Sequence, residues 1–292
     1  MGALGKWHWT LDLFSHFRIQ YITTLLSAGV VLFLLKQIRW GLISCISGVA
    51  LSISLLPYVT KKTTEAFAGS EYSLLSYNLN TANTQYDEVR NSIATTDADI
   101  VFIMEVNRAW IAELSPLEIR YPYFIYHPRS DNFGLALYSK HPIENETIST
   151  FGSAGIPTVQ ADIHFPHNTL NLIGVHTLPP VSRVNSHQRN LTLNEVADYI
   201  QNTPNDYKIV TGDLNCTPWS FIFKDFTAQS ALKDSSIGNG IGGTWFRKLG
   251  FISIPIDHVL GSAGIVFTKK EIKDTVGSDH SAVFVTFRLQ SD

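Results

Sequence analysis

The sequence predicts a mixed α/β (α+β) domain that follows a hydrophobic helical hairpin. From residue 71 onward, short apolar runs of β type are separated by turn clusters and a few helical stretches. The first 65 residues instead hold two long uncharged apolar runs. These observations predict a membrane anchor over residues 1–65 and one layered domain over residues 66–292.

The N-terminal runs have the length of membrane spans. Residues 19–35 form 17 consecutive positions without a charge, and residues 40–60 form another 21. About 20 apolar residues cross a bilayer as a helix, so the second run fits well and the first is at the short end. The polar break from Lys36 to Arg39 predicts a tight turn between the two spans. The alternative is a pair of buried core helices.

Basic residues around the two runs give conflicting signals on membrane orientation. Lys36 and Arg39 in the turn favour a cytoplasmic turn and an extracytoplasmic domain. Four basic residues at the outer ends of the runs favour the reverse: Lys6, Arg18, Lys61 and Lys62. Both orientations stay open on the charge count.

The domain after residue 66 reads as a mixture of strands and helices. Seven runs have the composition of strands: residues 72–77, 100–104, 134–138, 170–175, 208–211, 252–260 and 282–289. Two helices are predicted between strands, at residues 86–95 and 191–202. This order predicts one α/β domain with a layered core.

Composition and charge argue against a disordered protein and against a protein that binds long duplex nucleic acid. The chain is 45% hydrophobic and 12% aromatic, as folded proteins are. Beyond Glu65 it carries 16 basic and 23 acidic side chains, a net charge of −7. A domain this acidic lacks the basic field of a protein that grips a long duplex. The cysteines, Cys45 and Cys216, do not form a disulfide framework.

A polar loop follows the strand predicted at residues 208–211. Asp213 and Asn215 are two positions apart, and in an extended chain such residues point the same way. A carboxylate beside an amide suits holding a water molecule against a phosphate near a hard metal ion. The alternative is an ordinary turn, since Asp and Asn are common turn residues.

Five other strand ends carry polar side chains of the same kinds. They are Asn78 with Asn80, Glu105, His176, Asp257, and Asp279 with His280. Each of these residues alone fits a turn or a satisfied core polar group. A carboxylate after an apolar run is costly, however, unless it is paired or bound to a metal. The full set of four carboxylates, three amides and two imidazoles predicts phosphate-ester hydrolysis assisted by a divalent cation.

The order of these motifs resembles the endonuclease/exonuclease/phosphatase superfamily, which includes pancreatic-type deoxyribonucleases, inositol polyphosphate 5-phosphatases and neutral sphingomyelinases. The resemblance covers about residues 70–290. It rests on Asn78, Glu105, His176, Gly-Asp-Leu-Asn at 212–215, Ile-Asp-His at 256–258 and Ser-Asp-His at 278–280. It implies a four-layer sandwich of two mostly antiparallel β-sheets flanked by helices, with the site at one edge of the sheets.

The resemblance implies roles for the metal and for the attacking water. Glu105 is the expected main ligand of Mg²⁺, or of Mn²⁺ in its place, with Asn78 and Asp279 close to the metal. Asp213 is expected to orient or deprotonate the water, and Asn215 to hold water or a phosphate oxygen.

The histidines complete the implied mechanism. His280, its ring oriented by Asp257, is expected to contact the phosphate, and His176 to stabilise developing charge or assist the leaving group. One departure concerns Asn80, which stands where abasic-site enzymes carry an Asp. This exchange removes a charged ligand that a second metal ion would need.

The hairpin is foreign to the soluble nucleases and resembles a membrane-anchored bacterial branch of the superfamily. In that branch a basic turn faces the cytoplasm and the catalytic domain lies outside. The resemblance therefore implies a multi-pass protein of the bacterial inner (cytoplasmic) membrane with an extracytoplasmic catalytic domain. A cytoplasmic domain is the alternative.

Three further residues are candidates for substrate binding. Arg129 and Arg189 lie in loops beside strands that carry site residues, and either guanidinium could bind a phosphate. A solvated surface arginine is the alternative for each. Trp245 follows a glycine-rich loop and is placed to pack against a substrate base or acyl chain.

These features predict a membrane-anchored, Mg²⁺-dependent phosphoesterase that hydrolyses phosphodiester bonds. Its expected partners are a phosphate-ester substrate, either nucleic acid or a phospholipid headgroup, and the bilayer around residues 19–60. The competing hypothesis is a catalytically inactive relative that serves as a membrane-tethered binding or scaffold module. Retention of all the acidic and imidazole side chains together argues against that alternative.

Overall fold

The computed structural model describes residues 5–60, 70–274 and 276–290. The strands are β1 (Glu71–Asn78), β2 (Ile100–Met104), β3 (Tyr123–His127), β4 (Leu135–Ser139), β5 (Ile143–Thr150), β6 (Pro157–His164), β7 (Thr169–His176), β8 (Tyr207–Asp213), β9 (Lys233–Asp234), β10 (Asp257–Gly261), β11 (Ile265–Lys273) and β12 (Ala282–Leu289). The α-helices are α1 (Trp9–Ser15), α2 (Arg18–Leu34), α3 (Ile38–Ser52), α4 (Leu56–Val59), α5 (Tyr86–Thr96), α6 (Arg108–Leu114), α7 (Arg183–Asn202) and α8 (Phe221–Ser230).

The strands form two six-stranded sheets built on one plan. The first sheet has the order β11-β12-β1-β2-β4-β3, and the second has the order β5-β6-β7-β8-β10-β9. Strands β1 and β2 run parallel, with α5 between them in sequence, and β7 and β8 run parallel, with α7 between them. The other neighbours are antiparallel. Each sheet therefore has a parallel pair at its centre and antiparallel strands on both sides.

The two sheets enclose a common apolar core, and helices cover their outer faces. On β2, Phe102 and Met104 face the second sheet, whereas Val101 and Ile103 face α5 and α6, because side chains alternate along a strand. Helices α7 and α8 bury the outer face of the second sheet. The result is the four-layer sandwich, which confirms the predicted fold class.

Helices occupy both apolar runs at the N-terminus. Within the described residues, the stretch Ile38–Val59 is one helix long and apolar enough to cross a membrane. The bent pair Trp9–Ser15 and Arg18–Leu34, with 59° between its halves, provides a second candidate if the pair counts as one span.

Small residues bring α2 and α3 into close contact. A Cβ on Gly29 would lie 2.3 Å from Cys45 Sγ, and a Cβ on Gly48 would lie 2.8 Å from Leu26 Cδ2. The hydroxyl of Ser44 donates to the Leu25 carbonyl oxygen at 2.7 Å. Small side chains and a hydroxyl bond at a helix pair are typical of membrane-embedded packing. The outward side chains are apolar and exposed, among them Leu34, Leu35, Ile46 and Val49.

One aromatic ring fixes the spacing between the sheets beneath the ends of the parallel strands. Phe102 of β2 fits a gap left by two glycines of the second sheet. A Cβ on Gly174 would lie 2.3 Å from Phe102 Cε2, and one on Gly212 would lie 3.1 Å from Phe102 Cε1. The close approach of the ring therefore requires glycine at position 174, whereas at position 212 the nearby Val175 carbonyl oxygen and a φ of 134° require it.

We expect Gly174→Ala to lower the free energy of unfolding by about 1–3 kcal/mol, because the added methyl group forces Phe102 off its preferred rotamer. Urea unfolding of the full-length protein in detergent micelles, followed by circular dichroism, measures the change. Phe102→Leu in the same background should recover part of the loss. Gly242→Ala is the control, since its Cβ would approach only Ile272 Cγ1, at 3.2 Å. An unchanged midpoint for Gly174→Ala would contradict this account of the core.

Candidate active site

The four parallel strands deliver polar residues to one edge of the sandwich. Asn78 ends β1, Glu105 directly follows β2, His176 ends β7 and Asp213 ends β8. Asn78 pairs in register with Met104, and His176 pairs with Asp213. Because the carboxyl ends of parallel strands meet at the same edge of a sheet, these four side chains collect there.

Two antiparallel strands begin at the same edge. Asp257 is the first residue of β10 and pairs with Asp213 of β8. His280 lies two residues before β12, which is antiparallel to β1. The first residues of an antiparallel strand lie beside the last residues of its neighbour, so Asp257 and His280 join the same cluster.

The carboxylate of Asp257 and the imidazole of His280 form a buried ion pair. His280 Nδ1 lies 2.9 Å from Asp257 Oδ2 and 3.2 Å from Oδ1. Burial disfavours the imidazolium, but the charge and hydrogen bond of Asp257, together with the charges of Asp213 and Asp279, outweigh burial and raise the pKa of His280 to about 10. In the same way, burial opposes ionisation of Asp257, yet His280 holds the pKa of that carboxyl below its ordinary value.

Asp213 lies between two imidazoles. Its Oδ2 is 3.7 Å from His176 Nε2 and 3.8 Å from His280 Nε2, and its Oδ1 accepts from the Asn215 backbone N–H at 2.8 Å. Burial, reinforced by the charge of Asp257, raises the pKa of Asp213 well above its ordinary value. The raised pKa makes the Asp213 carboxylate a stronger base than an ordinary aspartate, which suits it to accept a proton.

His176 is neutral because of its burial. The surrounding protein lowers its pKa to about 4, first by desolvation and then by the charge of His280. Phe133 packs against the His176 ring at a centroid distance of 4.9 Å. A neutral imidazole can donate one hydrogen bond and accept another, so His176 can interact with a negatively charged oxygen without carrying a full charge.

Glu105 is held in place by three donors on the first sheet's side of the site. Its Oε1 accepts from Asn78 Nδ2 at 3.0 Å, and its Oε2 accepts from the Thr81 backbone N–H at 2.9 Å and the Thr81 hydroxyl at 3.2 Å. The backbone of Glu105 is left-handed, with φ of 62°. A non-glycine residue in that region is strained, and such strain recurs at functional sites.

Asp279 lies beside this cluster with both of its oxygens engaged. Oδ1 accepts from Asn80 Nδ2 at 2.8 Å, and Oδ2 accepts from the Trp245 indole N–H at 3.0 Å. The backbone of Trp245 also bridges to His280 and Ile254. Asn80 and Trp245 therefore hold Asp279, and Trp245 is part of the wall of the site.

The donor atoms fit a hard divalent cation. Glu105 is half-exposed and offers carboxylate oxygens beside the amide of Asn78, and Mg²⁺ favours a few such oxygens together with water. Asp213, Asp257 and His280 form a second group, whose ligand atoms lie within 4.8 Å of one another. All three residues of that group are buried, and Asp257 and His280 form an ion pair, whereas Glu105 is partly exposed, so Glu105 is the better candidate.

Arg189 does not reach the substrate side of the site. Its side chain is buried on α7, where it donates to the Asn215 carbonyl oxygen at 2.9 Å and to Asp12 Oδ2 at 3.2 Å. The guanidinium is thus fully used inside the protein, and the prediction that Arg189 binds substrate is wrong. The sequence could not reveal this placement because Asp12 lies far away in the chain.

Arg129 lies on the surface near the strand end that carries Glu105. It pairs with Asp131 through two bonds, of 2.8 and 2.6 Å. It also lines a cavity of about 700 Å³ together with Asn107 and Arg108. Sequence reasoning did not identify Arg108, which follows Glu105 by three positions and adds a second guanidinium to this cavity.

Three hydroxyl groups support the site and were not predicted. Thr81 bonds to Glu105 as described above. Thr244 Oγ1 accepts from the backbone N–H of Asp257 at 3.1 Å. Ser278 Oγ donates to the Asn78 carbonyl oxygen at 2.8 Å and accepts from the His280 N–H at 3.0 Å. Of these residues, only Ser278 belonged to a motif of the sequence analysis.

Solved structures with the same fold come from animals and bacteria. Truncated TDP2 of Caenorhabditis elegans is 19% identical, with a TM-score of 0.60 over 75% of this chain and 98% of that one. An endonuclease/exonuclease/phosphatase from Beutenbergia cavernae is 18% identical, with a TM-score of 0.64 over 75% and 72%. D. rerio TDP2 complexed with single-strand DNA product is 18% identical, with a TM-score of 0.61 over 75% and 99%.

A search of curated protein sequences gave no significant match. The profile of the Endonuclease/Exonuclease/phosphatase family, in contrast, matches residues 75–280, well over half of the chain. The match includes every member of the edge cluster, from Asn78 to His280. The chain belongs to the endonuclease/exonuclease/phosphatase family.

Proposed function

We propose that this protein is a membrane-anchored, Mg²⁺-dependent phosphoesterase that hydrolyses phosphodiester bonds. The observation that carries the proposal is the position of Asp213. Its buried carboxyl group lies between His176 and His280, with an Asp257–His280 ion pair on one side. Family membership supports hydrolysis of a phosphate ester, because phosphoester hydrolysis is the chemistry for which the family is named.

Glu105 and Asn78 are the residues that hold the cation in this proposal. The Asn78 amide nitrogen donates to Glu105 Oε1 and the Thr81 N–H donates to Oε2, so the carboxylate has a fixed orientation, while the Asn78 amide oxygen accepts from the Asn80 N–H. A divalent cation held there would supply Lewis-acid polarisation of a phosphoryl oxygen. Asp279, whose oxygens bond to Asn80 and Trp245, lies close to this group and keeps the surrounding wall in place.

Asp213 is the residue that orients and deprotonates the attacking water. Its raised pKa matches the task, since a carboxyl of ordinary acidity is a weak base at neutral pH. The Asn215 N–H fixes Oδ1, so Oδ2 is the oxygen that faces the imidazoles. The side chain of Asn215 is tied to the Thr177 carbonyl oxygen at 2.9 Å, which holds the amide beside the water position.

The two histidines stabilise the phosphate in different protonation states. His280 is cationic because of Asp257, so it attracts the developing negative charge directly. His176 is neutral and can donate a hydrogen bond to an oxygen of the phosphate or of the leaving group. The competing hypothesis is an inactive scaffold module. Burying the Asp213 carboxyl group lowers the stability of the folded protein, and a scaffold would gain nothing from that loss.

The substrate is expected to be a phosphodiester that does not require a long duplex-binding surface. The net charge of −7 after Glu65 opposes duplex binding through phosphates. Arg108, three positions after Glu105, lines a cavity together with the Arg129–Asp131 ion pair and supplies one guanidinium for a phosphate there. The structural neighbour that is complexed with single-strand DNA product supports single-stranded nucleic acid as the first candidate substrate. A phospholipid headgroup is the second candidate.

The exposed apolar faces of α2 and α3 support an anchor over residues 19–60. Lys36 and Arg39, at the turn between these helices, support a cytoplasmic turn. A bacterial inner membrane with an extracytoplasmic catalytic domain remains our prediction.

We expect full-length protein in detergent micelles to hydrolyse bis-p-nitrophenyl phosphate with Mg²⁺ or Mn²⁺ and to stop in excess EDTA. Glu105→Gln keeps the shape of the side chain but removes its charge. It should raise the Mg²⁺ concentration for half-maximal rate by about 10- to 100-fold. Glu146→Gln, on the exposed strand β5, is the control. Full activity in chelator would contradict the metal requirement.

We expect Asp257→Asn and His280→Gln to lower kcat by about 10²- to 10⁴-fold each, and the double variant to lose little more than either. The reason is that the ion pair acts as one unit, so breaking it once removes its effect. Steady-state kinetics at saturating Mg²⁺ measures all three variants beside the exposed control Asp225→Asn. If the fold-reduction in kcat of the double variant equals the product of the reductions in the two single variants, the two residues act independently.

We expect duplex DNA to be the poorest of the macromolecular phosphodiesters, because the acidic domain repels it. The measurement compares turnover of plasmid, single-stranded oligonucleotide and sphingomyelin in mixed micelles at equal concentrations of diester. Inositol phosphates added to the panel test monoester hydrolysis. Plasmid cleavage faster than cleavage of either other diester would overturn the argument from charge.

A further inference from the structure

The N-terminal helix α1 contacts the loop that carries the proposed catalytic residues. Asp12, in the middle of α1, is buried, and both of its carboxylate oxygens bond to the folded domain. Oδ1 accepts from the Phe221 backbone N–H at 2.9 Å, and Oδ2 accepts from Arg189 Nη2 at 3.2 Å. Phe221 is the first residue of α8, directly after the loop that begins at Asp213.

Arg189 extends this contact to the loop itself. Its Nη1 donates to the Asn215 carbonyl oxygen at 2.9 Å, while its Nε and Nη2 donate to Asn190 Oδ1 at 3.1 and 3.0 Å. Only 2% of Arg189 is exposed. A guanidinium so buried requires its carboxylate partner, since removal of one member of a buried ion pair leaves an uncompensated charge.

His16, just beyond α1, makes a second connection to the same loop. Its Nδ1 lies 3.0 Å from Thr217 Oγ1 and accepts from the Thr217 N–H at 3.4 Å, and its carbonyl oxygen accepts from the Trp219 indole at 3.1 Å. Because a backbone N–H can only donate, Nδ1 is the acceptor nitrogen of the ring. These bonds join His16 to the two residues that flank Pro218.

The loop needs this support because its backbone is unfavourable. Asn215 has φ of 49°, in the left-handed region, and its N–H is the donor that fixes Asp213 Oδ1 at 2.8 Å. A non-glycine residue keeps such a conformation only when its surroundings determine it. Arg189 on the Asn215 carbonyl oxygen is one of those determinants, and Asp12 holds Arg189.

We propose that Asp12 and Arg189 are positioning residues for Asp213, and that α1 is thereby a working part of the active site. The connection runs from Asp12 through the Arg189 guanidinium to the Asn215 backbone, and from the Asn215 N–H to Asp213. This inference rests on the proposed function for its effect on catalysis. Its structural part, the support of the loop, stands independently of the reaction.

The test uses full-length protein in detergent micelles with three variants: Asp12→Asn, Arg189→Gln and Arg189→Lys. We expect kcat for bis-p-nitrophenyl phosphate to fall by about 10- to 100-fold in each, with KM and the Mg²⁺ dependence unchanged. Arg189→Lys keeps the buried charge for Asp12 but lacks the planar fork that reaches two partners. It therefore tests positioning in a protein that remains folded.

Hydrogen exchange separates positioning from general destabilisation. Backbone amides of residues 213–221 should exchange faster in the variants, whereas those of β1, β2 and β7 should not change. The matched control is Asp99→Ala, which removes the acceptor of two bonds, of 2.8 and 2.7 Å, from Ser73 at the opposite end of β1. This control should lower the unfolding midpoint while leaving kcat and exchange of the loop unchanged.

Two outcomes are decisive. Wild-type kcat in folded Asp12→Asn and Arg189→Lys proteins, or unchanged exchange of residues 213–221, would overturn the positioning role. If wild-type protein cleaves no phosphodiester, the proposed function fails, and exchange of the loop alone decides whether α1 supports it.

Discussion

The ion pair between Asp257 and His280 is the interaction on which the site depends. Asp257 begins β10 of the second sheet and His280 precedes β12 of the first, so the pair joins the two sheets at the rim of the sandwich. Without it, the carboxyl group of Asp213 would face a neutral ring. The contacts of Phe102 with the glycines of β7 and β8 set the separation across which this pair must reach.

Much of the fold could be predicted because its central strands are apolar and short. The boundaries of β2 and β12 match the predicted runs, since β2 is a short apolar run buried on both faces and β12 alternates between a buried and a partly exposed face. Strand β5 was missed because its residues are mostly polar and exposed, which resembles a loop. Helix α8 was missed because Pro218 signals a break and hides the helix that begins three residues later.

The residue types of the site and their common edge could be predicted from the sequence, but the contacts between their side chains could not. Strand-end carboxylates and amides at two-residue spacing point to a shared edge, and the structure brings Glu105, Asp213 and His280 to that edge. What sequence spacing cannot give is the partner of a side chain across the fold. Arg189 looked like a free phosphate ligand, yet it is buried against Asp12, and Trp245 looked like a platform for substrate, yet its indole holds Asp279.

The helical hairpin is bound to the α/β domain at both of its outer ends. Gln20 Nε2 donates to the Phe251 and Ser253 carbonyl oxygens at 2.7 and 3.1 Å, and Gly238 and Gly240 donate to the carbonyl oxygens of Pro57 and Tyr58 at 3.0 and 2.9 Å. Because the domain is attached to the hairpin at two points, its orientation relative to the hairpin is more restricted than it would be with a single flexible linker. Under the proposed membrane anchor, these two attachments would hold the site at one height and one tilt above the lipid surface, and the site would act on phosphates presented at that height.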